Sequence, residues 1–386
     1  MRGKKLVLIL AVMLVASLSL FAQASSDSDS YKIGFIGPLT GDNSAYGVFC
    51  RQAAELAVNQ ANANGGIDGK MIELIAEDSE GSVERGLAAI EKLSSSDNIV
   101  ALVGPVLTGT AFAVGERCQN EGIPMISPSA THADITNIGD YIFRTIVSDG
   151  LQGQVAGTYF YDVLGYRNIG CLYVMNDYSK GLYDGMKAAF EAKGGTVSAV
   201  ETGNVGDKDF RTQLTNLKNS NVEAIYIPNY TVEMAQMLEQ ADQVGITVPF
   251  LSCDGFSNPD IYALAGDFTD GVIYVAPAPA KESDLHTKFV SEYEAAFNMS
   301  PDSFATNAYD ATNIIIEAMR SAGTDRAAVR DEIAATKDFV GASGVINFAP
   351  NGDLVAYQAI YKVEGTTPVY QGSYSVDADG NLVQVD

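Results

Sequence analysis

The sequence has no tryptophan, only two histidines and only four cysteines in 386 residues. His132 and His286 stand far apart, and Cys50, Cys118, Cys171 and Cys253 form no C-x-x-C or zinc-type spacing. A metal or redox centre is therefore not expected, and no cofactor is assigned. No G-x-S-x-G elbow is present, so the one nucleophile and base that could be paired are Ser129 and His132, and His132 reads better as a loop residue. Gly34, Gly37 and Gly41 punctuate a strand-to-helix turn, but their spacing is neither G-x-G-x-x-G nor a P-loop. Cations are scarce too: 24 Lys and Arg stand against 48 Asp and Glu, a net charge of -24. Such a chain repels nucleic acid and anionic lipid heads, while no run of five like charges marks a tail or patch. After Phe21 there is no second long apolar run, so no membrane insertion is expected beyond the leader.

What is present begins with Met1-Arg2-Gly3-Lys4-Lys5, an apolar run from Leu6 to Phe21, and Ala22-Gln23-Ala24 before a Ser/Asp-rich tract. A basic start, an apolar middle and a small-x-small site make a secretory signal with cleavage after Ala24. No cysteine stands near that site, which argues against a lipid anchor. The mature chain, its charge now -27, is expected to be soluble and periplasmic or otherwise extracytoplasmic. Its 362 residues exceed what one core usually serves, so two domains are expected.

Strand and helix periods alternate from Tyr31 onward, the pattern of an α/β protein with parallel sheets covered by helices. Strands are read at 31–37, 71–76, 99–103 and 123–127, with helices at 45–63, 83–93 and 109–120. A second series begins near Ser148, with a helix around 152–164 and strands near 169–174, 197–201, 224–228, 250–253 and 272–275. Helices are read in this series at 179–193, 210–217 and 232–244. Ala276-Pro277-Ala278-Pro279-Ala280 follows as a stiff, strand-incompatible linker or hinge. Helices at 283–297, 303–322 and 326–336 precede a strand at 355–363. Each series has the build of a doubly wound lobe. If the proline stretch is a crossing, the chain passes between lobes more than once and the cleft between them is the natural ligand site.

The motifs IGPLTGDNSAYG (36–47), ANANGGIDGK (61–70), VGPVLTGT (103–110), IPMISPSATH (123–132), YIFRT (141–145), NDYSKG (176–181), NYTVEM (229–234) and CDGFSN (253–258) occur in this order. Together they make the chain resemble the leucine/isoleucine/valine-binding proteins of bacterial ABC transport over nearly its whole mature length. The resemblance implies the type I periplasmic binding fold: two doubly wound α/β lobes joined by a hinge of several crossings. The expected division is a signal peptide at 1–24, lobe I from 25–148 plus 278–355, and lobe II from 149–277 plus 356–386.

In doubly wound sheets ligands sit beyond the carboxyl ends of strands, where helix N-termini offer free N–H groups to an anion. Thr108 and the segment Ser129-Ala130-Thr131 each follow a strand in this way. By themselves these residues fit either a ligand's carboxylate or ordinary turn and N-cap chemistry. The resemblance implies that the two segments hold the α-carboxylate and α-amino groups. It also implies that Tyr178, Tyr230 and Asp254 come from the second lobe, Asp254 pairing with the ammonium in place of the family's longer glutamate. Tyr46 and Phe304 match aromatic positions that shape the side-chain pocket, and Arg144 matches a structural position near the hinge.

None of these positions carries a cation, so a second ligand carboxylate would lack a charged partner. Val106, Leu107, Tyr46 and Phe304 would suit an aliphatic side chain; Leu107 stands where some leucine-binding relatives carry a disulfide cysteine. A branched-chain amino acid delivered to an ABC permease by a non-enzymatic, monomeric binding protein is therefore expected. A sensing module for another amino acid, an amide or an aromatic acid is the alternative. A receptor ectodomain would need a membrane helix or output domain after the binding module, and the sequence ends at Asp386 with neither. The strand order further implies four unpaired cysteines, because Cys50 and Cys118 fall on opposite faces of one sheet and Cys171 and Cys253 on non-neighbouring strands.

Overall fold

A computed structural model of the chain describes residues 30–279 and 283–385. The signal segment read at 1–24 lies outside the described residues. The first sheet contains β1 (Tyr31–Gly37), β2 (Ile72–Asp78), β3 (Ala101–Val103), β4 (Met125–Ser127) and β5 (Ile142–Arg144), all parallel, in the order β2-β1-β3-β4-β5. Helices α1 (Ser44–Ala63), α2 (Val83–Ser95) and α3 (Thr108–Glu121) make its crossovers. The short strands β3 and β4 are buried on both faces, as an inner parallel strand covered by helices must be.

The second sheet repeats that order. β6 (Asn168–Val174), β7 (Thr196–Gly203), β8 (Ala224–Tyr226), β9 (Phe250–Ser252) and β10 (Ile273–Pro277) lie as β7-β6-β8-β9-β10. They are preceded by α4 (Asp149–Asp162) and alternate with α5 (Asp177–Ala192), α6 (Arg211–Lys218), α7 (Thr231–Val244) and α8 (Asp260–Ala265). Three helices then return to the first sheet: α9 (Asp284–Phe297), α10 (Ser303–Ala322) and α11 (Arg326–Ala334). A small hairpin, β11 (Phe339–Gly341) and β12 (Gly344–Ile346), follows. Finally β13 (Gln358–Glu364), β14 (Thr367–Val376) and β15 (Leu382–Gln384) extend the second sheet with antiparallel strands beside β10.

The core of the first sheet is shared by α1 and α10, whose facing positions are small: Ala53, Ala54 and Ala57 pack with Ala305, Ala308 and Ala311. Small residues let two helices approach closely. The chain passes between the sheets at residues 145–147, 277–279 and 354–357, and these segments together line a cavity of about 460 Å³.

The structure corrects three local readings. Helix α4 starts at Asp149 rather than near Gln152, because the Ser148 hydroxyl accepts the Gly150 N–H and caps the helix there. Ala276 and Pro277 belong to β10 and are not outside it. Opposite Gln358, Pro277 occupies a position where the next bond of the ladder is Ala278 N–H to Tyr357 O, so the N–H that proline lacks points away from β13. Beyond Tyr274 strand β9 no longer pairs on the other side, so nothing there needs that N–H either. The hairpin β11–β12, between the helices and the last strands, was not anticipated.

All four cysteines are free and buried. Cys50 and Cys118 belong to separate cores on the two faces of the first sheet, and β8 separates β6, which holds Cys171, from β9, which leads to Cys253.

Candidate functional site

Every expected site residue except Phe304 follows the carboxyl end of a parallel strand. Beyond β1, Gly47 sits so close to the preceding turn that a Cβ there would lie 1.9 Å from the Pro38 carbonyl oxygen. That contact seats the first turn of α1 against Pro38 and places the neighbouring Tyr46 at the meeting of the two sheets. Beyond β3, Leu107 precedes α3 without a side-chain cap, so the first turn of α3, beginning at Thr108, has N–H groups that no capping side chain satisfies.

Four rings make one aromatic wall. Tyr46 meets Phe304 edge-on at 5.3 Å and Tyr230 at 5.7 Å, and Tyr230 stacks on Tyr178 at 4.6 Å. Tyr46 and Phe304 belong to the same core as Val106 and Leu107. The Tyr46 hydroxyl crosses to the other lobe, 2.6 Å from the Thr231 hydroxyl and donating to Gly255 O at 3.1 Å. The Tyr230 hydroxyl crosses in the opposite direction and faces the Thr108 backbone. Burial pushes the phenols of Tyr46, Tyr178 and Tyr230 up from their ordinary range, so all three are neutral, and Tyr46 and Tyr178 donate.

Asp254 opens a short turn after β9 and is buried. Its Oδ1 accepts from the Tyr178 hydroxyl at 2.7 Å and from Gln152 Nε2 at 3.0 Å. The same Tyr178 oxygen receives the Gly255 N–H at 3.0 Å. Residue 255 must be small: a Cβ would fall 2.5 Å from Asn229 O and 3.0 Å from that hydroxyl. Close by is a second buried carboxylate, Asp149, which accepts from the Thr131 hydroxyl at 3.0 Å and from Gln152 Nε2 at 3.2 Å. Burial raises both carboxyls above the usual carboxylate range.

Of the segment 129–131, Ser129 is half-buried, and Ala130 is buried with its N–H donated to Ser127 Oγ at 3.0 Å. Thr131 directs its hydroxyl to Asp149. Arg144 is fully buried below this segment, where it donates to the carbonyls of Thr131 and His132 and pairs with Asp353 at 2.6 Å. His132 packs between Phe112 and α5, so close that a Cβ on Gly181 would lie 2.5 Å from its ring. Burial holds that imidazole below its ordinary value.

The structure thus brings Tyr46, Thr108, Tyr178, Tyr230, Asp254 and Phe304 together where the two sheets meet, with Ser129, Ala130 and Thr131 on the loop beside Asp149. Sequence reasoning missed Asp149, Gln152, Thr231 and Gly255. The signal for the first two was Ser148 followed by an acid, a helix-start pattern that puts positions 149 and 152 on the first turn of α4. Among the described residues no group of three His, Cys, Asp or Glu could hold a metal, and no helix is long and apolar enough to cross a membrane.

Comparison with known proteins agrees with this architecture. A family model described as periplasmic binding protein matches residues 30–367. The leucine-, isoleucine-, valine-, threonine- and alanine-binding protein of Pseudomonas aeruginosa is 32% identical over 336 residues, covering 86% of this chain and 90% of that protein. A Leu/Ile/Val-binding protein of Rhizobium johnstonii is 31% identical, with 92% and 96% covered. Among solved structures, the branched-chain amino acid transporter substrate-binding protein LivJ of Streptococcus pneumoniae, in complex with isoleucine, superposes with a TM-score of 0.82 at 28% identity, covering 92% of this chain and all of that one.

Proposed function

The chain belongs to the periplasmic binding protein family, and from that premise we propose that it is an extracytoplasmic, non-enzymatic protein that captures a branched-chain amino acid between two lobes and delivers it to an ABC permease. One observation carries the reading. A buried carboxylate held by Tyr178 and the start of a helix at Thr108 without a side-chain N-cap lie about a cluster of four aromatic rings. That is the complement of a zwitterion with an apolar side chain: ammonium to Asp254, carboxylate to the Thr108 turn and the Ser129–Thr131 segment, side chain to Tyr46, Phe304 and Tyr230. The relatives named for leucine, isoleucine and valine support the choice of side chain.

In this reading lobe I comprises residues 25–148 and 278–355, lobe II residues 149–277 and 356–386, and the signal segment 1–24 directs export. The mature protein acts as a monomer. Calorimetry against the twenty amino acids tests the ligand, with leucine, isoleucine or valine expected to bind tightest. Asp254→Ala is expected to weaken that binding by at least a hundredfold, since removing one partner of a buried charged pair typically costs about 3–5 kcal/mol. A variant within about threefold of wild type, a difference of only about 0.7 kcal/mol, would remove Asp254 from the ammonium role.

A further inference from the structure

Asp149 and Asp254 lie 105 positions apart in the sequence and come from different elements, yet one amide joins them. Gln152 Oε1 accepts the Asp254 backbone N–H at 2.9 Å. A backbone N–H can only donate, so the orientation of the amide is fixed, and Nε2 must face the carboxylates. It donates to Asp149 Oδ1 at 3.2 Å and to Asp254 Oδ1 at 3.0 Å. With Tyr178 also on Oδ1, the Asp254 carboxylate is held on one edge by two side-chain donors.

Both acids are almost wholly buried, at 2% and 1% exposure. Among the described residues neither is ion-paired, and the nearby guanidinium of Arg144 is engaged with Asp353 and two carbonyls. Two buried carboxyl groups in one hydrogen-bonded cluster resist carrying two negative charges together, and the pair is relieved either by holding a proton or by a positive group brought against it.

We propose that Asp149, acting through Gln152 on Asp254, is the positioning residue that restricts this site to ligands carrying an ammonium group. The proposal rests on the reading of Asp254 as the ammonium anchor. A carboxylic acid of the same shape without the amine brings a negative charge toward the acid pair and no compensation, so the second acid sharpens discrimination beyond what Asp254 alone supplies. Gln152 transmits the effect by fixing the geometry of the two carboxylates, and Thr131 fixes Asp149 in turn.

The test compares leucine with 4-methyl-2-oxopentanoate, which keeps the carboxylate and the isobutyl group and replaces the amine with a carbonyl. Calorimetry on the wild-type protein is expected to show leucine bound at least a hundredfold more tightly. Asp149→Asn, close to isosteric, is expected to shrink that ratio at least tenfold, chiefly by weakening leucine, and Gln152→Leu to shrink it in the same direction. A purely structural role would weaken both ligands alike and leave the ratio unchanged, and that result overturns the proposal. So does a wild-type protein that binds the oxo acid within tenfold of leucine, a measurement that needs no variant to fold. Asp254→Asn separates this failure from the other. If it abolishes leucine binding while Asp149→Asn leaves the ratio intact, the ammonium anchor stands and only the role of Asp149 falls. If Asp254→Asn leaves leucine binding intact, the anchor falls and this proposal with it.

Discussion

The hydroxyl of Tyr46, on the leading helix of the first sheet, stands 2.6 Å from the hydroxyl of Thr231, on the helix that follows β8 of the second. A tyrosine that only filled the pocket could do so without its oxygen. Here the oxygen ties the two halves of the cleft together and also reaches Gly255 O, next to the proposed anchor Asp254.

Tyr46→Phe keeps the ring against Phe304 and Tyr230 and deletes only that tie. A buried hydrogen bond contributes about 0.5–1.5 kcal/mol, so leucine should bind about two- to tenfold more weakly while the unfolding temperature of the unliganded protein changes little. Titration calorimetry and a thermal melt check this. Unchanged affinity would mean that the Tyr46 hydroxyl does not support the closed arrangement.

Gly181 tests closure from the opposite rim. An alanine methyl there would meet the His132 ring at 2.5 Å, and that ring is braced by Phe112 and by the Asp134 N–H on Nδ1 at 3.2 Å. Gly181→Ala should prop the lobes apart, weaken leucine about tenfold and leave a larger radius in small-angle scattering with leucine present. Adding His132→Ala should restore both. If the double variant stays as weak as the single one, the clash is not the cause.

Asp302 gives a prediction in pH. Its Oδ1 caps α10 by accepting the Ala305 N–H at 2.7 Å, while Oδ2 is buried with no hydrogen-bond partner among the described residues. Burial pushes this carboxyl up to about 7, from an ordinary value of 3.8. Between those values the native protein keeps a proton that the unfolded chain has lost. The contribution to stability is therefore complete below pH 3.8 and is lost as pH rises toward 7, by up to about 1.4 kcal/mol per pH unit. Asp302→Asn keeps an oxygen for the cap and cannot ionise. Its melting temperature relative to wild type should rise between pH 4.5 and 7 and then level off, whereas a gap independent of pH would place the ionisation elsewhere.

The parallel sheets were legible because their strands are short apolar runs punctuated by glycine and by amphipathic helices, as in Ile99–Val103 before Thr108. Strand order then placed the four cysteines out of reach of one another. The hairpin at Phe339–Ile346 was not legible: two strands of three residues are too short to show a period, and their fold depends on Asp310, which accepts the N–H groups of Ala342 and Ser343 from a distant helix. Motifs mark Tyr46, Tyr178 and Asp254 as candidates, and the structure brings these three together. For Asp149 and Gln152 the cap pattern at Ser148 marks a helix start but not their place beside Asp254, which lies in a contact across 102 positions.

The close packing of α1 against α10 binds early sequence to late sequence. Cys50 Sγ contacts Phe304 O across 254 positions, and Tyr293 reaches back to Gln52. The second sheet from β6 to β10, by contrast, is built from one uninterrupted stretch of chain. Loop closure over such a span must precede the contacts that reward it. Each half of the molecule thus waits for late sequence, the first sheet for α10 and the second for β13 to β15, and a chain cut anywhere before Ser303 would leave α1, which carries Tyr46, without its partner helix.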